Sequence, residues 1–357
     1  MGLYDTDRIV TADKVVVKDV FKRRYMRLLG NQYDDFMKYS FTYLRKCIRV
    51  NTLKADIKDV KERIEQKGWN LTPIPWCKEG FFVEGHATQD RFDIGNLMEH
   101  SLGLFYVQEA ASMLPPLVLL SDRDEMTDKD KDALNVLDLC AAPGSKTSQL
   151  AQYMDNRGLL IANDVDISRL KPLTMNLQRM GVSNFLVTLN PFQKSKRNTR
   201  LRNPFAKEDE TGEFFDRILV DAPCSGTGTI RRSFKTLEMY SEGLVKRLAS
   251  TQKALIRNAF EMLKPGGILV YSTCTQEPLE NEGIISFLLN NHDNAKVLPI
   301  DLNINRSEPV KEFDGQTFRD EVKHCLRIYP QDNDSEGFFV CKIEKKVQNE
   351  ITTISSE

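Results

Sequence analysis

The chain has 357 residues, of which 41% are hydrophobic and 28% charged, and a formal net charge of −1; this is ordinary globular composition, long enough for two domains or one large α/β domain with an appendage. No run of about 18 apolar residues is present to cross a membrane, and the opening MGLYDTDRIVTADK lacks the charged-then-apolar pattern of a secretory signal, so a cytoplasmic location is expected. The seven cysteines are odd in number and widely spaced, with no CxxC pair or histidine cluster, which excludes a disulfide framework and a structural metal.

Residues 14–45 read as helical, with Val20, Tyr25, Leu28 and Leu29 set among basic residues. IRVNTLK (48–54) reads as a strand. DIKDVKERIEQKG (56–68) places Ile57, Val60 and Ile64 on one helical face and stops at Gly68. With the strand-like LTPIPW and GFFVEG, this predicts a small α/β subdomain over residues 1–110. The acidic run DRDEMTDKDKD (122–132) reads as a solvated loop.

From residue 133 the pattern becomes regular. Strands are expected at 133–140, 158–164, 185–190, 217–224 and 268–274, with helices beginning at SKTSQLAQYM, over 168–181 and over 243–263. Strands apolar on both faces and separated by helices predict a parallel sheet covered on both sides, whose ligands gather at the carboxyl ends of the strands. Asp138, Asp164, Asp221, Cys224 and Cys274 all fall at or just beyond those ends.

The turn DLCAAPGSKT (138–147) lets the backbone approach a ligand at a helix N-terminus, with Ala141, Ala142 and Gly144 as its small residues. It is neither GxGxxG nor GxxxxGK[ST]. Asp164, ending the next strand, suits two ribose hydroxyls, of S-adenosylmethionine or of a dinucleotide. Two cysteines beside an aspartate at the same edge suit covalent attack on an electron-poor ring. Carbon-5 of cytosine becomes nucleophilic only when a thiolate adds to carbon-6, and this needs an ionisable cysteine and a polar partner for the ring edge.

DLCAAPGSKT, DAPCSGTGTIRR, YSTCT followed by NE, and IRVNTLK together resemble the Sun/RsmB family of RNA cytosine carbon-5 methyltransferases, as do RIYP and GFFV near the C-terminus. The resemblance spans residues 48–343. It implies a Rossmann-like methyltransferase domain over 111–347 that uses S-adenosylmethionine, preceded by the RNA-recognition-like subdomain and followed by a polar tail at 348–357. It implies that Cys274 attacks carbon-6 and that Cys224 assists release. It further implies that Cys140, Ala141, Ala142, Pro143, Gly144, Ser145, Lys146, Asp164 and Asp221 line the cofactor pocket, with Lys146 anchoring Asp221. Three positions depart from the family pattern: Ser145 replaces a glycine, Asn190 stands where the third strand usually ends in an aspartate, and Gln331 follows RIYP where histidine is usual.

The partner is expected to be RNA, presented single-stranded or with the base flipped. Arg231, Arg232 and Arg49 are the expected phosphate contacts, with Lys194, Lys196, Arg197, Arg200 and Arg202 as an extension and Phe192 or Phe234 as a stacking platform. Transfer RNA is favoured over ribosomal RNA because no rRNA-binding extension is visible. An amino-group methyltransferase would need a polar-Pro-Pro-aromatic loop in place of DAPC, and a silent RNA-binding subunit would be expected to lose one of the cysteines; neither departure is seen.

Overall fold

The computed structural model describes residues 9, 14–88, 93–190 and 212–347. The basic run 194–202, Phe192 and the 348–357 tail lie outside the described residues.

Fourteen strands are found among the described residues: β1 (Lys46–Val50), β2 (Trp69–Ile74), β3 (Cys77–His86), β4 (Phe105–Val107), β5 (Asn135–Asp138), β6 (Leu159–Asp164), β7 (Phe185–Leu189), β8 (Phe215–Asp221), β9 (Leu263–Thr273), β10 (Ala295–Leu298), β11 (Glu312–Phe313), β12 (Gln316–Thr317), β13 (Leu326–Ile328) and β14 (Phe338–Lys345). The principal sheet runs β10-β14-β9-β8-β5-β6-β7, with β13 paired to β14. Strands β5 to β9 pair in parallel, as expected. The surprise lies at the far edge: β10, β13 and β14 run antiparallel, so the sheet is mixed. Strand order reverses between β5 and β8, which opens the crevice where ligands bind in doubly wound sheets. Buried aliphatic side chains fill both sides of this sheet, Leu150, Leu219 and Val270 on one and Leu137, Ile218 and Leu269 on the other.

A second, four-stranded sheet, β2-β3-β1-β4, is antiparallel throughout the pairings described. The helix Ile57–Glu65 covers it through Val60 and Ile64, the periodicity read from the sequence. The expected helical stretch 14–45 divides into Asp19–Leu29 and Tyr33–Ser40 around a turn in which Gly30 adopts a φ of 54°. These two helices do not pack on the small sheet. Phe21, Tyr25 and Phe36 join Ile230, Leu237, Tyr240 and Tyr329, so the N-terminal helices brace the half of the molecule built on the principal sheet. The acidic run is partly helical over Asp128–Ala133, begun by a capping box between Thr127 and Asp130.

Arg49 requires a correction. Instead of meeting phosphate, its guanidinium is completely buried between β1 and the helix that follows β5. It donates to Gln108 Oε1 at 2.8 Å, to Ser148 Oγ at 2.8 Å and to Gln152, so β1 is riveted to the helix that follows β5. Removing the guanidinium strands several buried acceptors. Arg49→Met is therefore expected to lower the unfolding free energy by about 2–3 kcal/mol, read as a shift of the urea midpoint at unchanged slope.

Candidate active site

The turn after β5 is shaped by Gly144, whose φ of 103° disfavours any side chain. A Cβ there would also crowd Leu173 Cδ1 at 3.0 Å. Ser145 opens the helix Ser145–Tyr153 with ordinary backbone geometry, so its replacement of a glycine carries no strain. Thr147 Oγ1 donates to Asp138 Oδ2 at 2.7 Å, while Asp138 Oδ1 has no partner among the described residues. Burial, reinforced by Asp221, pushes the Asp138 carboxyl up to about 7. Cys140 beside it is held as a thiol by burial and by the surrounding aspartates.

Asp164 ends β6 almost fully buried. It accepts the amides of Ala142 (3.2 Å), Val165 (2.8 Å) and Asp166 (3.1 Å), and Arg169 approaches to 3.5 Å. It thus ties β6 to the turn carrying Ala141, Ala142 and Pro143. Asn190 stands at the end of β7 with its backbone fixed by Asn163, donating at 3.0 Å and accepting at 3.1 Å. The residue types fit an adenosyl sulfonium bearing an amino acid: an acid at the end of each of two strands, a close-approach turn at a helix N-terminus, and an orphaned buried carboxylate oxygen suited to an ammonium.

Strands β8 and β9 are adjacent and parallel, with Asp221 opposite Ser272. The loops leaving them carry the two sulfurs, and Cys224 Sγ lies 3.3 Å from Cys274 Sγ, both free thiols. Gly228 fastens the loops together, its amide donating to the Cys274 carbonyl at 3.0 Å and its carbonyl accepting from Gly337 at 2.9 Å. The Cys274 hydrogen bond, with burial added, raises the Cys224 thiol well above its usual range, so Cys224 keeps its proton. Asp221 accepts from Ser272 Oγ at 2.8 Å and pairs with Lys146 Nζ at 2.8 Å. Burial opposes the Lys146 charge, but Asp221 and then Cys274 outweigh it and the ammonium is held above its ordinary range. The expected Lys146–Asp221 anchor is therefore present.

Around this pair lies a polar shell that sequence reading missed. Tyr25 donates to Thr227 Oγ1 at 2.5 Å, Thr227 meets Thr275 at 2.9 Å, and Thr275 meets Ser225 at 2.7 Å. This hydroxyl chain links the first helix to both cysteine loops. Asn281 of the NE pair donates to the Thr275 carbonyl at 2.9 Å, and Glu280 accepts the Ser225 amide at 3.0 Å. Thr275, Gln276, Glu277, Glu280, Asn281 and Glu282 are all fully buried. The density of polar residues in TQEPLENE was the available signal, though such runs ordinarily read as surface.

A cleft of about 830 Å³ opens over Cys274, Asp221 and Lys146, with Phe338 and Glu336 on its wall and Arg232 and Phe234 toward its rim. Phe234 leans against Phe41, ring centroids 5.5 Å apart. Arg231 requires the second correction. It is buried, pairing with Asp334 at 2.8 Å and donating to the Thr42 and Tyr43 carbonyls, so it joins N- and C-terminal segments. Arg232 is the exposed member of the pair, its side chain 71% accessible.

A Cβ at Gly228 would strike the Gly337 carbonyl and lie 2.9 Å from the Cys274 carbonyl. Gly228→Ala is expected to cost about 2 kcal/mol of stability, measurable as a lowered thermal midpoint.

Residues 125–344 match the family model described as 16S rRNA methyltransferase RsmB/F, and residues 18–110 match that for the N-terminal domain of 16S rRNA methyltransferase RsmF. The chain is 44% identical over 323 residues to a tRNA (cytosine(49)-C(5))-methyltransferase of Pyrococcus abyssi, covering 90% of this chain and 94% of that protein. It is 41% identical over 312 residues to the ribosomal RNA small subunit methyltransferase F of Shewanella oneidensis, covering 87% of this chain but only 60% of that protein. The crystal structure of a methyltransferase homolog protein from Pyrococcus horikoshii superposes with a TM-score of 0.74 at 35% identity, over 92% of this chain and 95% of the other.

Proposed function

The chain belongs to the RsmB/F family of S-adenosylmethionine-dependent RNA methyltransferases, and on that footing we propose that it methylates carbon-5 of cytosine in RNA, with Cys274 as nucleophile and Cys224 as the group that assists release. The observation that carries the reading is the 3.3 Å approach of Cys224 Sγ to Cys274 Sγ, with Cys274 lining the cleft.

Bound S-adenosylmethionine supplies a methyl group on an electron-poor sulfonium. Residues 140–146, Asp164, Asn190 and Asp221 are the proposed holders, and Asp138, with its uncommitted oxygen, joins them. Cys274 Sγ adds to carbon-6, which makes carbon-5 nucleophilic. Asp221, fixed by Ser272 and Lys146, faces the ring edge and holds the exocyclic amine or ring nitrogen as charge redistributes. Once carbon-5 carries its methyl group, water in the open cleft takes the carbon-5 proton, and the electron pair of that C–H bond re-forms the ring double bond and expels the Cys274 thiolate from carbon-6. Cys224, still protonated beside that sulfur, hydrogen-bonds the departing thiolate.

A transfer RNA substrate is supported by the Pyrococcus abyssi relative, 44% identical over 90% of this chain. The ribosomal reading keeps the support of both family descriptions. Bisulfite sequencing of total RNA with and without the gene decides between them. The separate family match over 18–110 supports treating residues 1–110 as an RNA-binding unit and 111–347 as the methyltransferase unit. Among the described residues no helix is long and apolar enough to cross a membrane. A cytoplasmic location accords with an RNA substrate and with seven unpaired cysteines.

Cys224→Ala is expected to accumulate an RNA adduct that survives denaturing electrophoresis, whereas Cys274→Ala should form neither adduct nor 5-methylcytosine; retention of activity by Cys274→Ala would overturn the assignment. Arg232→Ala should reduce the slope of log affinity against log salt by about one, while Arg231→Ala should instead lower the unfolding midpoint.

A further inference from the structure

We propose that Glu336 reads the ribose 2′-hydroxyl of the target nucleotide, its uncommitted carboxyl oxygen exchanging a loose contact with Arg232 for a hydrogen bond to that hydroxyl. The inference rests on the proposed RNA methylation and goes beyond it by assigning the group that tells RNA from DNA.

Glu336 is 3% exposed, and its Oε1 has no hydrogen-bond partner among the described residues. The nearest cation to that oxygen, Arg232 Nη1, stands at 3.8 Å, beyond hydrogen-bond reach. Glu109, close by, accepts the amides of Ala111, Ser112 and Glu336 itself and makes no hydrogen bond to that oxygen. A buried acceptor left open in a ligand cleft is costly unless a ligand fills it.

Its place in the cleft selects the ligand. Cys274, Asp221 and Lys146 form the base end, and Arg232, largely exposed, offers a phosphate contact at the rim. Glu336 lines the wall of the same cleft and approaches Arg232. In a nucleotide the ribose lies between base and phosphate, so it passes this wall when the base is seated. Of the sugar's atoms within an RNA strand, the 2′-hydroxyl alone both donates and accepts. A carboxyl can answer it in either protonation state.

The surrounding charges suit a polyanion. Burial first, and then Glu109, push the Glu336 carboxyl up to about 8, against the opposing pull of Arg232, Lys146 and Arg231. Both carboxyls of this pair are pushed toward the protonated form, which limits their repulsion of the phosphate that Arg232 attracts.

The test uses a tRNA transcript whose methylated cytidine has been located by bisulfite sequencing, assembled by ligation with either cytidine or 2′-deoxycytidine at that one position. Wild-type protein is expected to favour the ribose substrate by about five- to tenfold in kcat/KM, the worth of one neutral hydrogen bond. Glu336→Ala should bring that ratio to about one, and Glu336→Gln, which still donates and accepts, should restore most of it. Because the two substrates are compared on the same variant, a general loss of stability cancels. For a variant without turnover, fluorescence anisotropy with the same two RNAs gives the ratio as affinities. An undiminished ratio in Glu336→Ala, or no ribose preference in the wild type, would overturn the inference and leave the reaction standing. Failure of wild-type protein to methylate the all-ribose transcript would overturn the reaction itself, and the inference with it.

Discussion

Two sulfur atoms 3.3 Å apart are the constraint around which this molecule is organised. They are brought together because β8 and β9 are neighbours in one parallel sheet and end at the same level, Asp221 beside Ser272. Adjacent strands lie roughly 4.8 Å apart, so residues just past their ends can meet only if both loops turn inward and are held there. Gly228 holds them through hydrogen bonds to two backbones, at a position with no room for a side chain. The hydroxyls of Tyr25, Thr227, Thr275 and Ser225 fix the same loops from behind. A buried network of this kind is rigid only when its members are satisfied. That accounts for the tight packing of the N-terminal helices against this half of the molecule rather than against the small sheet.

Charge is distributed by role. Arg24 meets the buried Glu277 at 2.8 Å, Arg327 meets the buried Glu282 at 2.7 Å, and Arg49 and Arg231 end on neutral groups and a loop aspartate. These guanidiniums are internal braces. Arg232 faces the solvent at the cleft, and Lys146 is held beside Asp221 at its floor. A net charge of −1 is thus compatible with an RNA substrate, because attraction depends on where the cations stand.

Much of this was legible in the sequence, because the strands of a covered parallel sheet and the turn DLCAAPGSKT carry local signatures. The five reactive residues at strand ends follow directly from that pattern. The antiparallel edge was not legible, since β10, β13 and β14 follow the last strand that the periodicity identifies, 268–274, and only their pairing with it and with one another makes them part of the sheet. Nor could the fate of Arg49 and Arg231 be read. An arginine beside a functional motif looks the same in sequence whether it meets a phosphate or a buried glutamine, and only the packing of β1 against the helix Ser145–Tyr153 decides it. The run TQEPLENE failed for the opposite reason: its polar residues satisfy one another out of water, and composition alone assigns such a run to the surface.

The account stands on Cys274 being the sulfur that joins carbon-6. RNA carrying 5-fluorocytidine at the target position tests this directly, because fluorine at carbon-5 blocks the final deprotonation and the adduct persists. The complex would be digested with trypsin and ribonuclease and the modified peptide sequenced by mass spectrometry. The account predicts the nucleotide on the peptide at Cys274; finding it at Cys224, or finding no nucleotide–peptide adduct at all, would contradict it.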